Sequence, residues 1–142
     1  MTQNHPLKIG IVCGEHSGDR LGAELITELK RTHDLDLFGV GGPKLEALGV
    51  RSLFDFSEIN IMGLIDPLIN YRKLSKLRES LIKVFTEEKI DFFIGIDSPD
   101  FYIGIHKALK TNLTNKNIQI VSPSVWGWRQ NRIKLIKKYI DL

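Results

Sequence analysis

Apolar runs that suit buried strands alternate along this chain with runs whose apolar residues recur at helical spacing. Strands are predicted at Leu7–Cys13 and within 36–42, 51–54, 91–97 and 117–122. Helices are predicted at 19–32, around 43–48, from 71 to about 89, and near 99–110 and 130–139. Alternating strands and helices predict an α/β protein whose parallel sheet is covered by helices on both faces.

The loops that follow the predicted strands are the first places to look for chemistry. In such sheets, ligands bind beyond the carboxyl ends of the strands, where the strand order reverses. Four loops qualify, and they read GEHSGD (14–19), GGPK (41–44), DSPD (97–100) and SPSVWGWRQ (122–130). The strongest predicted strand, DFFIGID, is apolar on both faces, as a central parallel strand must be, and it leads into DSPD.

The first loop, GEHSGD, allows two interpretations. It can be a tight strand-to-helix turn in which Ser17 is the helix N-cap and glycines permit close packing. It can also bind a ligand, but Glu15 and Asp19 would repel a pyrophosphate, and neither a phosphate-loop lysine nor G-x-G-x-x-G spacing is present. Carboxylates accept hydrogen bonds from hydroxyl groups, so the loop favours a sugar over a nucleotide.

The DSPD loop contains the best candidate for a catalytic base. Asp97 ends the central strand behind the apolar run FFIGI, where partial desolvation would raise its pKa and improve it as a base. Pro99 suits the first position of the next helix, and Asp100 falls in that helix's first turn, where the helix dipole favours an acid. A structural role therefore competes with a binding role for Asp100.

Two further segments remain open between packing and binding. Trp126 and Trp128 beside Arg129 and Arg132 can be a core pair with solvated arginines, or an aromatic platform beside anion-binding groups. The segment 59–71 carries one charge and can be core or an interfacial membrane segment. Its candidate membrane or acyl-chain residues are Met62, Leu64, Ile65, Leu68 and Ile69.

Composition excludes several classes of protein. A net charge of +3 and a pI near 9.0, without an extended basic stripe, argue against nucleic-acid binding. The single cysteine, Cys13, lies in an apolar strand and is expected to be a buried hydrophobe in a reducing compartment. Neither a secretory signal nor an apolar run of about 18 residues is evident, which favours the cytoplasm. The four histidines show no metal-ligand spacing, so no metal site is predicted.

Taken in order, the strings VCGEHSGDRLGAELI, GVGGPKLEALG, IMGLID, FIGIDSPDF and VSPSVWGWRQNRI resemble lipid-A-disaccharide synthases over nearly the whole chain. That resemblance implies an inverting, metal-independent GT-B glycosyltransferase with two Rossmann-like domains. Its reaction would join UDP-2,3-diacylglucosamine to 2,3-diacylglucosamine 1-phosphate, giving lipid A disaccharide and UDP. The UDP-sugar is a substrate, so no cofactor is expected. The resemblance also implies a cytoplasmic protein that is peripheral to the inner membrane, and a homo-oligomer is compatible with it.

The resemblance also assigns expected roles to residues of this chain. Asp97 matches the family's proposed catalytic aspartate and would take the proton from the acceptor's 6-hydroxyl. Glu15, Ser17 and Asp19 would line the same cleft, and IMGLID would match an exposed apolar patch for acyl chains and membrane. The further substrate-binding candidates are Asp100, Trp128, Arg129 and Arg132, with an acceptor-phosphate role for the two arginines as our own hypothesis.

The sequence departs from the family pattern in two ways. His16 stands where family members usually have a small or hydroxyl residue, and the donor-binding C-terminal domain has no counterpart here. We therefore expect residues 1–142 to be an N-terminal, acceptor-side domain that is inactive alone, with KKYIDL starting a further strand. Two alternatives stay open, namely a non-catalytic lipid- or membrane-binding module and a flavodoxin-like nucleotide-binding domain.

Overall fold

The computed structural model of the chain describes residues 5–56, 71–96, 99–112, 115–120 and 137–142. Its strands are β1 (Leu7–Cys13), β2 (Leu35–Val40), β3 (Arg51–Ser52), β4 (Phe92–Ile96) and β5 (Lys116–Ile120). Its helices are α1 (His16–Leu29), α2 (Pro43–Ala47), α3 (Tyr71–Glu88) and α4 (Pro99–Asn112). Each element coincides with a predicted one to within a few residues.

Within the described residues, the strands form one parallel sheet in the order β3-β2-β1-β4-β5. The chain runs outward from β1 to β2 and β3, and then crosses back to place β4 on the other side of β1. The strand order therefore reverses between β1 and β4, which is the position where open α/β sheets bind ligands. This arrangement confirms the predicted Rossmann-like α/β fold.

Two apolar cores cover the two faces of the sheet, because successive strand side chains point to opposite sides. On one face, Ile9, Ile11 and Cys13 of β1 pack with Ile26 of α1. On the other face, Val12 packs in a cluster that joins the sheet to α3 and α4 through Leu81, Phe85, Tyr102, Ile105 and Leu109. Cys13 is fully buried, as predicted for a small hydrophobe.

Close approach of the backbones requires glycine at two positions. A Cβ atom on Gly22 would lie 2.8 Å from Cδ1 of Ile96, so α1 rests directly on the sheet, as predicted for this glycine. Gly39 has a φ of 135°, and a Cβ atom there would lie 2.0 Å from the carbonyl oxygen of Ile11. Any side chain at Gly39 would therefore disrupt the pairing of β1 with β2.

The start of α1 differs from the prediction. The helix begins at His16, its N-cap position is Glu15, and that side chain makes no capping hydrogen bond. The expected N-cap, Ser17, is wrong, since it already lies inside the first turn, where its hydroxyl is 3.4 Å from Oε2 of Glu15. The buried face of the helix runs through Gly18, Gly22 and Ile26, whereas Leu21 is 40% exposed.

The segment 137–142 lies along the outer edge of β5. Residues 137–139 are helical, and most of the predicted helix at 130–139 lies outside the described residues. The Leu142 amide donates to the carbonyl of Asn117 at 3.2 Å, and the Leu142 carbonyl accepts from the amide of Gln119 at 2.9 Å. This is the bonding pattern of a parallel pair opposite Ile118, but the first three residues of KKYIDL, which was expected to start a strand, are helical.

A buried polar network joins this segment to α4. The side-chain amide of Asn117 is fully buried and donates to the carbonyls of His106 and Tyr139 at 2.9 and 2.8 Å. Asp141 accepts from the Asn117 backbone amide at 2.8 Å and from the Lys110 ammonium at 2.5 Å. These two bonds to the carboxylate lower the pKa of Asp141.

His106, the buried histidine of this network, is held neutral. Its Nε2 lies 3.0 Å from Oε1 of Gln119, and its Nδ1 has no hydrogen-bond partner among the described residues. An amide oxygen only accepts, so Nε2 is the donor. Burial lowers the pKa of His106, and the bond to Gln119 and the charge of Asp141 oppose that shift without cancelling it.

We expect the free energy of unfolding to fall as the pH drops below about 6.5, because the unfolded chain then protonates this histidine and the folded chain does not. His106→Gln, which is neutral at every pH and can still donate to Gln119, should flatten this dependence between about pH 7 and pH 5. Urea denaturation across that range measures it. The exposed His33→Gln is the control, and equal slopes in both variants would contradict the assignment.

Candidate functional site

The strand register brings two of the predicted loops to the same point of the sheet edge. Cys13, the last residue of β1, pairs with Ile96, the last residue of β4. GEHSGD continues from the first strand and DSPD from the second, so the loops start from neighbouring strands about 4.8 Å apart. Asp97 itself lies outside the described residues, but it directly follows Ile96 in the chain. Ile96, the residue before the sequence-predicted base, therefore ends the strand that borders the reversal of strand order.

Two of the predicted cleft residues, Glu15 and Ser17, are accessible at this edge. Both side chains are exposed, and the Ser17 hydroxyl lies 3.4 Å from Oε2 of Glu15, which is a long hydrogen bond. The backbone carbonyl of Glu15 is taken, because it accepts from the amide of Asp19 at 3.0 Å. The Glu15 carboxylate thus faces solvent and is able to accept hydrogen bonds from an incoming hydroxyl group.

The third predicted cleft residue, Asp19, is instead built into the fold. It is 2% exposed, and its two carboxylate oxygens accept from the backbone amides of Lys44 and Leu45 at 2.9 and 3.0 Å. These amides belong to the first turn of α2. The N-cap residue of that helix, Gly42, has no side chain that could accept hydrogen bonds from them. A Cβ atom on Gly42 would lie 2.6 Å from Cγ of Asp19. Asp19 therefore ties the first loop to the GGPK loop, and direct substrate contact by it stays a prediction.

The other predicted site residues fall mainly outside the described residues. This holds for Trp128, Arg129 and Arg132, and for the apolar candidates Met62, Leu64, Ile65, Leu68 and Ile69. Asp100 lies in the first turn of α4, directly after Pro99 at the first position, as predicted. The position of its side chain is not described.

The sequence patterns did not mark the segment after β3 as a candidate site, although this segment also follows a strand. Ser52 ends β3, and its hydroxyl accepts from the amide of Gly41 at 3.1 Å and bonds the carbonyl of Gly41 at 3.3 Å. Four residues on, the ring of Phe56 meets the ring of His16 edge to face, with centroids 5.0 Å apart. The strand itself was predicted within 51–54, but the LFDF residues that follow from its end carry no motif that marks a ligand site.

Neither a metal-binding cluster nor a membrane span occurs within the described residues. They contain no group of three or more His, Cys, Asp or Glu side chains that could hold a metal ion. Within the same ranges, every helix is too short or too polar to span a bilayer.

Comparison with known proteins agrees with the fold and the motifs. The family model described as lipid-A-disaccharide synthetase matches residues 9–142. The chain belongs to the lipid-A-disaccharide synthase family. Among curated members, it is 48% identical over 140 residues to lipid-A-disaccharide synthase of Vibrio vulnificus, and 46% identical over 143 residues to lipid-A-disaccharide synthase 2 of Legionella pneumophila. These alignments cover 98% and 100% of this chain.

The lipid-A-disaccharide synthases it matches are much longer. The chain spans 37% of the Vibrio vulnificus and Legionella pneumophila proteins, and 34% of the Colwellia psychrerythraea member, to which it is 50% identical over 133 residues. The family match therefore covers nearly all of this chain and about a third of its relatives.

We expect Asp19→Ala to lower the free energy of unfolding by about 2 kcal/mol, because it leaves two backbone amides of α2 without their acceptor, one of them buried. Urea denaturation measures the change. Glu24→Ala on the exposed face of the same helix is the matched control, and should cost no more than about 0.5 kcal/mol. Equal losses in both variants would show that the Asp19 carboxylate does not stabilise the junction.

Proposed function

We propose that this chain is the acceptor-side domain of a glycosyltransferase of lipid A biosynthesis. The observation that carries the proposal is the pairing of Cys13 with Ile96, from which the GEHSGD and DSPD loops continue at the reversal of strand order. Membership of the lipid-A-disaccharide synthase family supports the same conclusion. The substrates would be UDP-2,3-diacylglucosamine as donor and 2,3-diacylglucosamine 1-phosphate as acceptor.

In the proposed mechanism, Asp97 is the general base. Its carboxylate removes the proton from the acceptor's 6-hydroxyl while that oxygen attacks the anomeric carbon of the donor. The bond from that carbon to UDP breaks in the same displacement, so the configuration inverts and UDP leaves with the bonding electrons. Asp97 follows a strand whose last four residues are buried, and that environment favours the neutral acid and so raises the basicity of the carboxylate.

A second domain is needed in this proposal. The first loop places the exposed Glu15 at the sheet edge and lacks a phosphate-loop lysine, which makes it a poor site for the diphosphate of UDP. The donor would therefore be held by a C-terminal domain of the GT-B type, and residues 1–142 alone should not catalyse transfer. No metal ion takes part in the proposed step.

Attachment to the membrane surface is the remaining part of the proposal. Both substrates carry acyl chains, and the apolar segment around Met62–Ile69 has a composition suited to the bilayer interface. The protein would then act from the cytoplasmic face of the inner membrane, as a peripheral protein.

We expect Asp97→Asn in the full-length protein that contains this chain to reduce kcat for disaccharide formation by about 10²- to 10⁴-fold, because the amide cannot accept the hydroxyl proton. The KM values should change little. The measurement is disaccharide formation from the two purified substrates in detergent.

Asp91→Asn is the matched control, because Asp91 flanks the opposite end of β4, where its carboxylate accepts from the Lys8 amide at 2.9 Å. It should keep the wild-type kcat. Equal activity of Asp97→Asn and wild type would refute the general-base role. Liposome binding by a wild-type protein that forms no disaccharide would instead favour a lipid-binding module.

A further inference from the structure

A pocket opens between α2 and the segment that follows β3. Six of the described residues line it, and we call it the α2–β3 pocket: Pro43, Glu46, Ser52, Phe54, Asp55 and Phe56. Its volume is about 490 Å³, which is within the usual range of small-molecule sites. It lies at the carboxyl end of the sheet, because Ser52 ends β3 and Pro43 begins the helix after β2.

The walls of the α2–β3 pocket are held in place by specific contacts. Asp19 fixes the first turn of α2 through the amides of Lys44 and Leu45. Ser52 is bonded to the backbone of Gly41, which secures the end of β3 against the loop after β2. The half-buried rings of Phe54 and Phe56 pack against the core, and Phe56 also contacts His16 of the first loop. The pocket is therefore joined to the loop that carries Glu15.

The lining residues suit a neutral ring that carries hydroxyl groups. Two are carboxylic acids, Glu46 and Asp55, and none of the described lining residues is basic. The exposed Glu46 carboxylate would accept a hydrogen bond from a hydroxyl and would repel a phosphate. The faces of aromatic rings are negative and attract the weakly positive C–H groups on one side of a pyranose ring. A sugar ring fits both features, whereas a nucleotide phosphate fits neither.

We propose that the α2–β3 pocket binds the pyranose ring of the acceptor glucosamine and leaves its phosphate outside the acidic walls. The assignment rests on the proposed function for the identity of the sugar. Glu46 would accept from a ring hydroxyl, and Phe54 would pack against the ring's apolar side. Both residues would determine specificity for the acceptor, and neither would take part in the transfer of the proton.

The first test is kinetic and uses the full-length protein. Glu46→Gln and Phe54→Leu should each raise the acceptor KM roughly tenfold, the scale of losing one hydrogen bond to a charged group or one aromatic contact. Both kcat and the donor KM should stay within about twofold of wild type. Glu87→Gln is the control, because Glu87 is an exposed acid near the end of α3 and is not among the lining residues of the pocket. Its neighbour Glu88 pairs with Lys8 at 3.7 Å.

The second test measures binding without catalysis. Saturation-transfer NMR with N-acetylglucosamine 1-phosphate, whose 2-nitrogen is neutral like that of the acceptor, in excess UDP to fill the donor site, should show contact to the ring protons of the sugar. The signal should fall strongly in Glu46→Gln and Phe54→Leu and persist in Glu87→Gln, and inorganic phosphate should not displace the sugar. Because Glu46 is an exposed helix residue, its variant keeps the test valid even where Phe54→Leu disturbs packing.

The outcomes separate this inference from the proposed function. Disaccharide formation with unchanged acceptor KM and unchanged NMR signal in both variants would overturn the pocket assignment and leave the transferase intact. An absence of disaccharide formation in the wild-type protein, together with a sugar signal that depends on Glu46 and Phe54, would overturn the transferase and leave a sugar-binding pocket. A signal that inorganic phosphate abolishes would also refute the assignment, since it would show recognition of the phosphate.

Discussion

The two hydrogen-bond ladders of β1 hold the described sheet together. β1 pairs with β2 from Leu7 to Val12 and with β4 from Ile9 to Cys13, so each residue of β1 is paired with a residue of at least one neighbouring strand. A parallel ladder leaves all strand ends of one polarity on the same edge. Because the chain leaves β1 on one side and returns on the other, the strand order reverses between β1 and β4, where open α/β sheets bind ligands. The position of both motif loops follows from this single arrangement.

A buried carboxylate then determines how the first two loops sit relative to each other. Isolated carboxylates are rarely buried, since losing water is costly unless the lost hydrogen bonds are replaced. Asp19 replaces them with two backbone amides at the start of α2, where the helix dipole also favours a negative charge. The two acidic residues of the first loop, Asp19 and Glu15, therefore differ in their environment. Asp19 stabilises the fold, while Glu15 remains exposed at the carboxyl edge of the sheet.

The acidic character of this edge distinguishes the domain from a dinucleotide-binding one with a similar sheet. A nucleotide site of that kind relies on glycines and helix amides facing a pyrophosphate. Here the corresponding loop has Glu15 at the N-cap position of α1, and the neighbouring α2–β3 pocket adds Glu46 and Asp55. The same fold therefore presents a surface suited to hydroxyl groups, and membership of a glycosyltransferase family agrees with that surface.

The sequence alone determined the fold class, the order of elements and the loops that follow strands. Buried strands and packed helices can be recognised from the spacing of their apolar residues, and the ends of strands from the glycine and aspartate that follow them. Each of these signals lies within a short stretch of sequence. The tertiary structure decided what depends on partners distant in sequence. Only the sheet register pairs Cys13 with Ile96, and only packing reveals that Asp19 caps α2 rather than lying open in the cleft. The pocket beside Phe54 was likewise invisible, because it is built from two segments whose contact no local pattern records.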